Sequence, residues 1–319
     1  MRARKAIRLL FVSATVLLSI GAAQVSSTRA PTGDPQAVTV TFFAEDEHGN
    51  PVTTLLPSDL SVRDNGKPPL NIISLGSAKD LPLRLGILIN TNRSRQGWPL
   101  KPARYDQFVR AGLDLTQKAV LDFLQQTMTR PEDTAFIATY ASLRRGATFV
   151  ARDELQPIDL GQFLEGDAPD FIGMYDAVRI ASTEVFGPSP VLPERRILIV
   201  FPGREGRSLS DNSETVFAAE RAGVRVLFAE CLDVDAIGEF HRTDWGIAQT
   251  GGCPVAVPTL GLPEWFGELK SQIDSMYSFA YIPEGPYQPG KLRRLDLKIP
   301  ANKDWRVYAP KRYLTPTSP

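Results

Sequence analysis

The sequence predicts an α/β protein: a doubly wound, mainly parallel sheet, accompanied by a small β unit that the two ends of the chain form together. Three observations predict this fold. From Leu83 onward, short apolar segments alternate with amphipathic helical patterns, which is typical of a parallel sheet covered on both faces. Before Leu83 and from Tyr277 on, strand-like segments are separated by turn signals. The 319 residues are 43% hydrophobic and 23% charged, which fits a folded chain with a sizeable core.

The first 23 residues are predicted to be a signal peptide. A basic start is followed by the apolar run Leu9–Ile20 and by the small residues Gly21–Ala23, where cleavage would precede Gln24. The apolar run has about a dozen residues and is too short to span a bilayer comfortably, although an uncleaved anchor is the alternative. We therefore expect an exported, periplasmic or secreted protein whose residues 24–36 form a flexible linker.

Residues 37–80 are predicted to supply the first part of the small β unit. Val38–Ala44 is a predicted strand, and Leu60–Arg63 alternates apolar and polar residues. The hairpin turn signal Asp64–Lys67 follows, and after it Leu70–Ile73 is a second strand-like segment. The segments Leu60–Arg63 and Leu70–Ile73 are therefore predicted to pair as a hairpin. A unit of about 45 residues with so few strands is too small to be stable alone, so we expect it to pack against the rest of the chain.

Residues 81–283 are predicted to form the α/β domain, and residues 284–319 a C-terminal β tail that completes the small β unit. The predicted strands of the domain and the tail are Leu83–Ile89, Asp133–Tyr140, Ala147–Ala151, Arg196–Phe201, Val224–Glu230, Pro254–Val257, Tyr277–Ile282, Leu292–Ile299 and Trp305–Tyr308. The predicted helices are Tyr105–Thr127, Met174–Val185, Ser213–Ala222, a weaker one ending at Gln249, and Pro263–Ser275.

The strand Leu83–Ile89 leads into the polar pentad Asn90–Ser94. Ligands of α/β proteins bind just past the carboxyl ends of the strands. An Asp at position 90, with serines at 92 and 94, would hold a divalent cation, because a hard ion needs an anionic oxygen and hydroxyls on one tight loop. Of that set only Ser94 is present.

A series of motifs extends along nearly all of the predicted mature chain: Gly49–Leu55, Asp59–Gly66, Met174–Ala177, Thr250–Gly252, Tyr277–Ile282, Gly290–Arg294 and Ala309–Tyr313. In this order they resemble the von Willebrand factor type A family, in its bacterial exported subgroup, where the A domain follows a short β segment. The resemblance implies the doubly wound fold and a ligand face at the carboxyl edge of the sheet.

The family's characteristic chemistry is a metal-ion-dependent adhesion site built from three loops. By resemblance, its ligand positions fall on Asn90, Asn92, Ser94, Ile172 and Gly203. Both carboxylates and the threonine of the family pattern are missing. Two neutral amides and one hydroxyl do not offset the dehydration of Mg²⁺, which usually keeps at least one carboxylate. The resemblance therefore implies a degenerate, metal-free site. A shifted ligand set drawn from Asp167, Asp170 and Glu205, giving a metal-dependent adhesion protein, is the alternative.

The same edge is predicted to bind a protein partner. Lys and Arg equal Asp and Glu at 36 each, so no overall field attracts nucleic acid. Arginine and tryptophan are enriched at interface hot spots, and arginines also repel a cation. The residues predicted to form the partner-binding edge are Arg93, Arg95, Trp98, Arg204 and Arg207.

No catalytic residues and no cofactor are predicted. The chain has two histidines, His48 and His241, each in a polar segment, and neither cysteines nor histidines have zinc spacing. The segment Gly203–Ser208 lacks the Gly-Lys-Ser/Thr ending of a phosphate loop. We therefore predict a non-enzymatic protein. An exported hydrolase, with His241 near Asp233 and a serine, is the alternative.

The two cysteines, Cys231 and Cys253, leave two possibilities open. A disulfide is the first expectation in an exported chain. However, Cys231 follows one predicted parallel strand and Cys253 precedes the next, and such positions lie at opposite edges of a sheet, beyond the roughly 7 Å Cα separation that a disulfide tolerates. Two buried free thiols are the alternative.

Overall fold

The computed structural model describes residues 37–89, 117–156, 172–189, 192–201, 208–231, 247–252, 254–257, 262–286 and 288–315. The strands in chain order are β1 (Val38–Glu45), β2 (Ser61–Asp64), β3 (Asn71–Ser77), β4 (Leu83–Ile89), β5 (Thr134–Thr139), β6 (Val150–Ala151), β7 (Arg195–Phe201), β8 (Arg225–Cys231), β9 (Pro254–Val257), β10 (Tyr277–Ile282), β11 (Leu292–Lys298), β12 (Arg306–Tyr308) and β13 (Arg312–Leu314). The helices are α1, described over residues 117–127, α2 (Met174–Ile180), α3 (Asn212–Ala222), α4 (Ile247–Thr250) and α5 (Leu262–Asp274).

Six strands form the central sheet in the spatial order β6-β5-β4-β7-β8-β9. Numbered by their own sequence order, this is 3-2-1-4-5-6, the order of a doubly wound sheet. All neighbouring pairs are parallel except β5 with the short edge strand β6. The predicted fold class is confirmed. The strand order reverses between β4 and β7, so the ligand crevice of this fold class lies past the carboxyl ends of these two strands.

The central strands are buried along nearly their whole length, and apolar apart from arginines near their starts, because helices cover both faces of the sheet. Every residue of β7 is buried, and β4 is buried except at Arg84. Alternate residues supply two separate cores, since successive side chains of a strand point to opposite faces. Leu85 and Ile87 pack with α1 and α5, whereas Leu88 packs with α2 and α3. The predicted helical patterns are confirmed in the described part of the chain.

Two antiparallel sheets, with the orders β12-β1-β10-β3 and β13-β11-β2, form the small β unit around a third core. Strands near the start of the described chain therefore pair with strands near its end, as predicted. The predicted hairpin is wrong. The turn at Asp64–Lys67 forms, but β2 pairs with β11 and β3 pairs with β10. The strand Tyr277–Ile282, which the sequence places within the α/β domain boundary at 283, pairs with β1 and β3 in the β unit.

A buried carboxylate joins four strands of the β unit. Asp64 has no exposed surface and accepts hydrogen bonds from Tyr281 at 2.8 Å and Tyr313 at 2.5 Å. Arg293 donates its Nε–H to the same carboxylate at 2.6 Å, and its other nitrogens donate to the carbonyls of Glu284 and Pro286. Burial and the neighbouring carboxylate raise the pKa of both tyrosines, so both remain hydrogen-bond donors at any ordinary pH.

The β unit and the α/β part lie within one unit, Pro35–Pro319, and meet at a tight junction. Gly251 has φ +80°, and a Cβ added there would lie 2.7 Å from the backbone nitrogen of Pro310. The Lys311 N–H donates to the Gln249 carbonyl at 2.6 Å, beside this contact. The Thr250–Gly252 motif is therefore the point where the C-terminal segment crosses α4, and glycine is required there because backbone approaches backbone.

An ion pair with a buried carboxylate lies close to this junction. A cavity of about 240 Å³ lies at the amino edge of the parallel sheet, between β1, β13 and the starts of β7 and β8. On its wall Glu220 of α3 pairs with Arg312 of β13 at 2.5 Å. Burial raises the pKa of Glu220 above its usual value, and this effect outweighs the hydrogen bond from Arg312, which acts in the opposite direction.

Candidate binding edge

The candidate site is the edge of the parallel sheet just past the ends of β4, β5 and β7. Its described parts are the strand ends, the turn at 139–142, residues 172–176 at the start of α2, and residues 208–211 before α3. These segments come from different parts of the chain and meet because the strands are parallel.

The structure places one of the predicted metal positions. Ile172 is 1% exposed and packs in the core on the α2 side of the sheet. The other positions and the predicted partner-binding residues lie outside the described residues; these are Asn90, Asn92, Ser94, Gly203, Arg93, Arg95, Trp98, Arg204 and Arg207. The backbone of Cys231 pairs with Val257 at the end of β8, but its side chain and Cys253 also lie outside what the structure describes.

Tyr140 crosses the edge at the point where the strand order reverses. It follows β5, its N–H donates to the Ile89 carbonyl at the end of β4 at 3.3 Å, and its hydroxyl donates to the Phe201 carbonyl at the end of β7 at 3.2 Å. The side chain is 1% exposed. One tyrosine therefore connects the ends of three neighbouring strands, and its ring packs in the core on the α2 side of the sheet. Sequence reasoning missed this residue.

A serine from a distant segment caps α2. Gly173, the residue before the helix, has no side chain to satisfy the first N–H groups. The Ser208 Oγ accepts hydrogen bonds from the N–H groups of Tyr175 at 3.0 Å and Asp176 at 3.4 Å. Donors at the start of α2, beside the candidate ligand crevice, are thus already used within the protein.

The Asp176 carboxylate holds the segment that follows β7. It accepts hydrogen bonds from the N–H groups of Leu209 at 2.7 Å and Ser210 at 2.9 Å. Arg179 donates its Nε–H to the Ser210 hydroxyl at 2.8 Å. Burial raises the pKa of Asp176, but the hydrogen bonds from Leu209 and Ser210 outweigh burial and hold the pKa below its usual value. Asp176 is therefore an ionised structural acceptor within the motif Met174–Ala177.

The described side chains at this edge do not fit a divalent cation. Ile172 is apolar where the resemblance implies a threonine, the Tyr140 hydroxyl is committed to the Phe201 carbonyl, and Asp176 is committed to two backbone donors. Among the described residues, no three His, Cys, Asp or Glu side chains are grouped as a metal requires. The edge offers hydroxyls and backbone groups that are already hydrogen-bonded to one another.

The strand order, with one antiparallel edge strand and helices on both faces, is that of a doubly wound α/β fold. Von Willebrand factor type A domains are among the solved structures to which this fold is similar. No family model and no curated protein sequence matches the chain. No helix within the described residues has the length and apolar character needed to cross a membrane.

Solved structures of other proteins are similar to the chain at low identity. One is von Willebrand factor type A from Catenulispora acidiphila, with a TM-score of 0.42 and 11% identity, covering 81% of this chain and 74% of that one. Another is proximal thread matrix protein 1 from the mussel byssus, with a TM-score of 0.42 and 10% identity over 66% of this chain. A third is the SpRpn10 VWA domain, with a TM-score of 0.32 and 16% identity, covering 58% of this chain and 93% of that domain. The chain spans 50% of the length of the byssus protein.

Proposed function

We propose that this protein is an exported, non-enzymatic binding or scaffold protein that holds a protein partner at the carboxyl edge of its parallel sheet without a bridging metal ion. The observation that carries the proposal is the Tyr140 bridge, because this buried side chain lies where the strand order reverses and its hydroxyl is already bonded to the Phe201 carbonyl. A buried, hydrogen-bonded side chain at this point leaves less room for a small ligand between the strand ends and favours a protein partner that binds on the outside of the edge.

The rigid support of the edge agrees with a binding role. Ser208 and Asp176 link the segment after β7 to the start of α2, and the turn after β5 is closed by reciprocal hydrogen bonds between Thr139 and Ser142. Loops that carry binding residues work best when their bases are fixed, since less conformational entropy is lost on association. In this proposal Trp98, in the segment that follows β4, and Arg204, in the segment that follows β7, contact the partner.

The residues at the family's ligand positions support the metal-free part of the proposal, because they supply no carboxylate. The sequence offers amides at Asn90 and Asn92, and the structure buries Ile172 in the core. In this proposal the specificity of the edge comes from arginine and tryptophan side chains, which form hot spots by pairing with carboxylates and by burying aromatic surface.

The test is affinity capture from the exported fraction of the source cells with the full chain as bait. The double variant Trp98→Ala/Arg204→Ala is compared with a matched control, Leu70→Ala/Arg63→Ala, which removes one apolar side chain and one exposed arginine from the β unit instead. Circular dichroism first establishes that both variants are folded. We expect the control to retain any partner that the wild-type chain captures, and the edge variant to lose it. Equal retention by both variants would refute the proposal.

A further inference from the structure

A second surface lies on one helical face of the α/β part. The helix α2 continues as the π-helix Ala181–Phe186, and together with α3 it encloses an open groove of about 610 Å³. The groove is lined mainly by apolar and small side chains on its floor and by charged side chains at its rim. The residues that line the groove include Arg179, Ser182, Leu209, Glu214, Phe217 and Arg221.

Large apolar side chains are exposed at this groove. Phe217 on α3 is 43% exposed, and Leu209 at the groove end is 91% exposed. The floor between them is made by Ala218 and Ala222, whose small side chains leave room beside the phenylalanine ring. An exposed aromatic ring next to a concave apolar floor is typical of a surface that a partner side chain covers.

The wall of the groove is unusual in its backbone and in one hydroxyl. A π-helix is rare and occurs frequently at functional sites. Ser182 lies within it and lines the groove, its side chain has no exposed surface, and its Oγ has no hydrogen-bond partner among the described residues. A buried hydroxyl without a partner costs stability, so the groove wall has two features, the wider helical turn and the unpaired hydroxyl, that packing alone does not favour.

The charge at the groove is positive. Arg179 and Arg221 flank it, and the Arg221 guanidinium lies 5.6 Å from the centre of the Phe217 ring. Neither arginine has a carboxylate within 4.0 Å among the described residues. Glu214, the one acidic side chain among the described residues that line the groove, already accepts the Asp211 N–H at the start of α3. A partner carboxylate would therefore meet two arginines whose guanidinium groups lack a carboxylate partner in the described chain.

We propose that this groove is a docking surface for a partner protein segment that places one apolar side chain beside Phe217 and a neighbouring carboxylate between Arg179 and Arg221. The occupant is an extended or helical segment of acidic and apolar composition. The groove adjoins the candidate edge and shares Leu209 with it. The groove proposal depends on Phe217 and Arg221 of α3, whereas the edge proposal depends on Trp98 and Arg204, so either proposal can fail without the other.

The test selects short random peptides displayed on phage against the full chain, with counter-selection against the folded variant Phe217→Ser/Arg221→Glu. We expect recovered peptides to share an apolar residue next to an Asp or Glu. Each single change, Phe217→Ser or Arg221→Glu, is expected to weaken a recovered peptide about tenfold or more, the factor that corresponds to about 1.4 kcal/mol at a hot spot. A peptide with its acid changed to arginine should fail on the wild-type chain and recover on Arg179→Glu/Arg221→Glu.

The controls separate this groove from other surfaces. The edge variant Trp98→Ala/Arg204→Ala and the β-unit variant Arg63→Glu/Leu70→Ser should bind the recovered peptides as the wild-type chain does. Failure to enrich any peptide, enrichment of peptides without an acidic residue, or binding that survives Phe217→Ser would overturn the proposal. Sedimentation that detects a dimer dispersed by Phe217→Ser would also overturn it, because a second copy of the chain would then be the occupant.

Discussion

The junction between the β unit and the α/β part makes a quantitative prediction for Gly251→Ala. Alanine at φ +80° carries a conformational cost of about 1–2 kcal/mol. Its Cβ would also lie 2.7 Å from the Pro310 nitrogen and 2.8 Å from the Ala309 carbonyl carbon, and these are backbone atoms that cannot rotate away. Overpacking of this kind costs about 1–3 kcal/mol. We therefore expect Gly251→Ala to lower the free energy of unfolding by about 2–5 kcal/mol.

Gly49→Ala is the matched control for this prediction. Gly49 has nearly the same backbone angle, φ +82°, but an added Cβ would have no atom within 4 Å. It should lose only the conformational cost, about 1–2 kcal/mol. Urea unfolding followed by tryptophan fluorescence measures both variants and the wild-type chain. Equal losses in the two variants would refute the view that close backbone contact at Pro310 determines the cost at Gly251.

Three further predictions concern buried groups. Asp64→Asn should cost about 3–5 kcal/mol, because it leaves Arg293 buried without its anionic partner. Asp176→Asn should destabilise the protein near pH 7, and the difference from the wild-type chain should shrink as pH falls below 3.8, because the lowered pKa of Asp176 gives stability that is present above the unfolded-state pKa and is lost on protonation. Gly86→Ala should cost about 1–3 kcal/mol, since its Cβ would lie 2.5 Å from the Phe136 ring.

Urea unfolding measures the stability of all three variants, and each prediction has a control or an outcome that would contradict it. Asp296→Asn breaks an exposed pair with Lys298 in the same β unit, and it should change the stability by less than about 1 kcal/mol. A pH-independent loss in Asp176→Asn would contradict the role of the carboxylate charge. Replacing Phe136 by leucine should restore part of the stability of Gly86→Ala, and strictly additive losses would exclude the proposed clash.

The sequence predicted the parallel core well because burial on both faces leaves a strong local signal. The strand Leu83–Ile89 is apolar except at Arg84, and its pairing with β5 and β7 follows from the usual order of a doubly wound sheet. The turn Asp64–Lys67 was also predicted correctly. Its flanking strands were wrongly paired because turn chemistry is local, whereas the partner of β2 is β11, near the other end of the chain. The hydrogen bonds of Asp64 favour that distant pairing, and no local pattern predicts them.

The candidate edge was less predictable, because its described contacts use backbone groups as partners. Tyr140 bonds to the carbonyl of Phe201, and every residue has a carbonyl, so no side-chain motif identifies this contact. Ser208 caps α2 from a distant segment, whereas the known capping signals are contiguous in sequence. Of the positions that the resemblance marked, Ile172 is the one that the structure describes, and its apolar side chain is buried. The partner-binding role of Trp98 and Arg204 stays a prediction.

The most direct test of the central claim, that the edge works without a metal ion, is calorimetric titration of the chelator-treated full chain with Mg²⁺ and with Mn²⁺, repeated on Asn90→Ala. We expect no saturable heat and no rise in melting temperature at millimolar concentrations of either ion, for the wild-type chain and for Asn90→Ala. Saturable heat of one ion per chain that Asn90→Ala abolishes would contradict it, because the first loop would then bind a metal despite lacking a carboxylate at positions 90, 92 and 94.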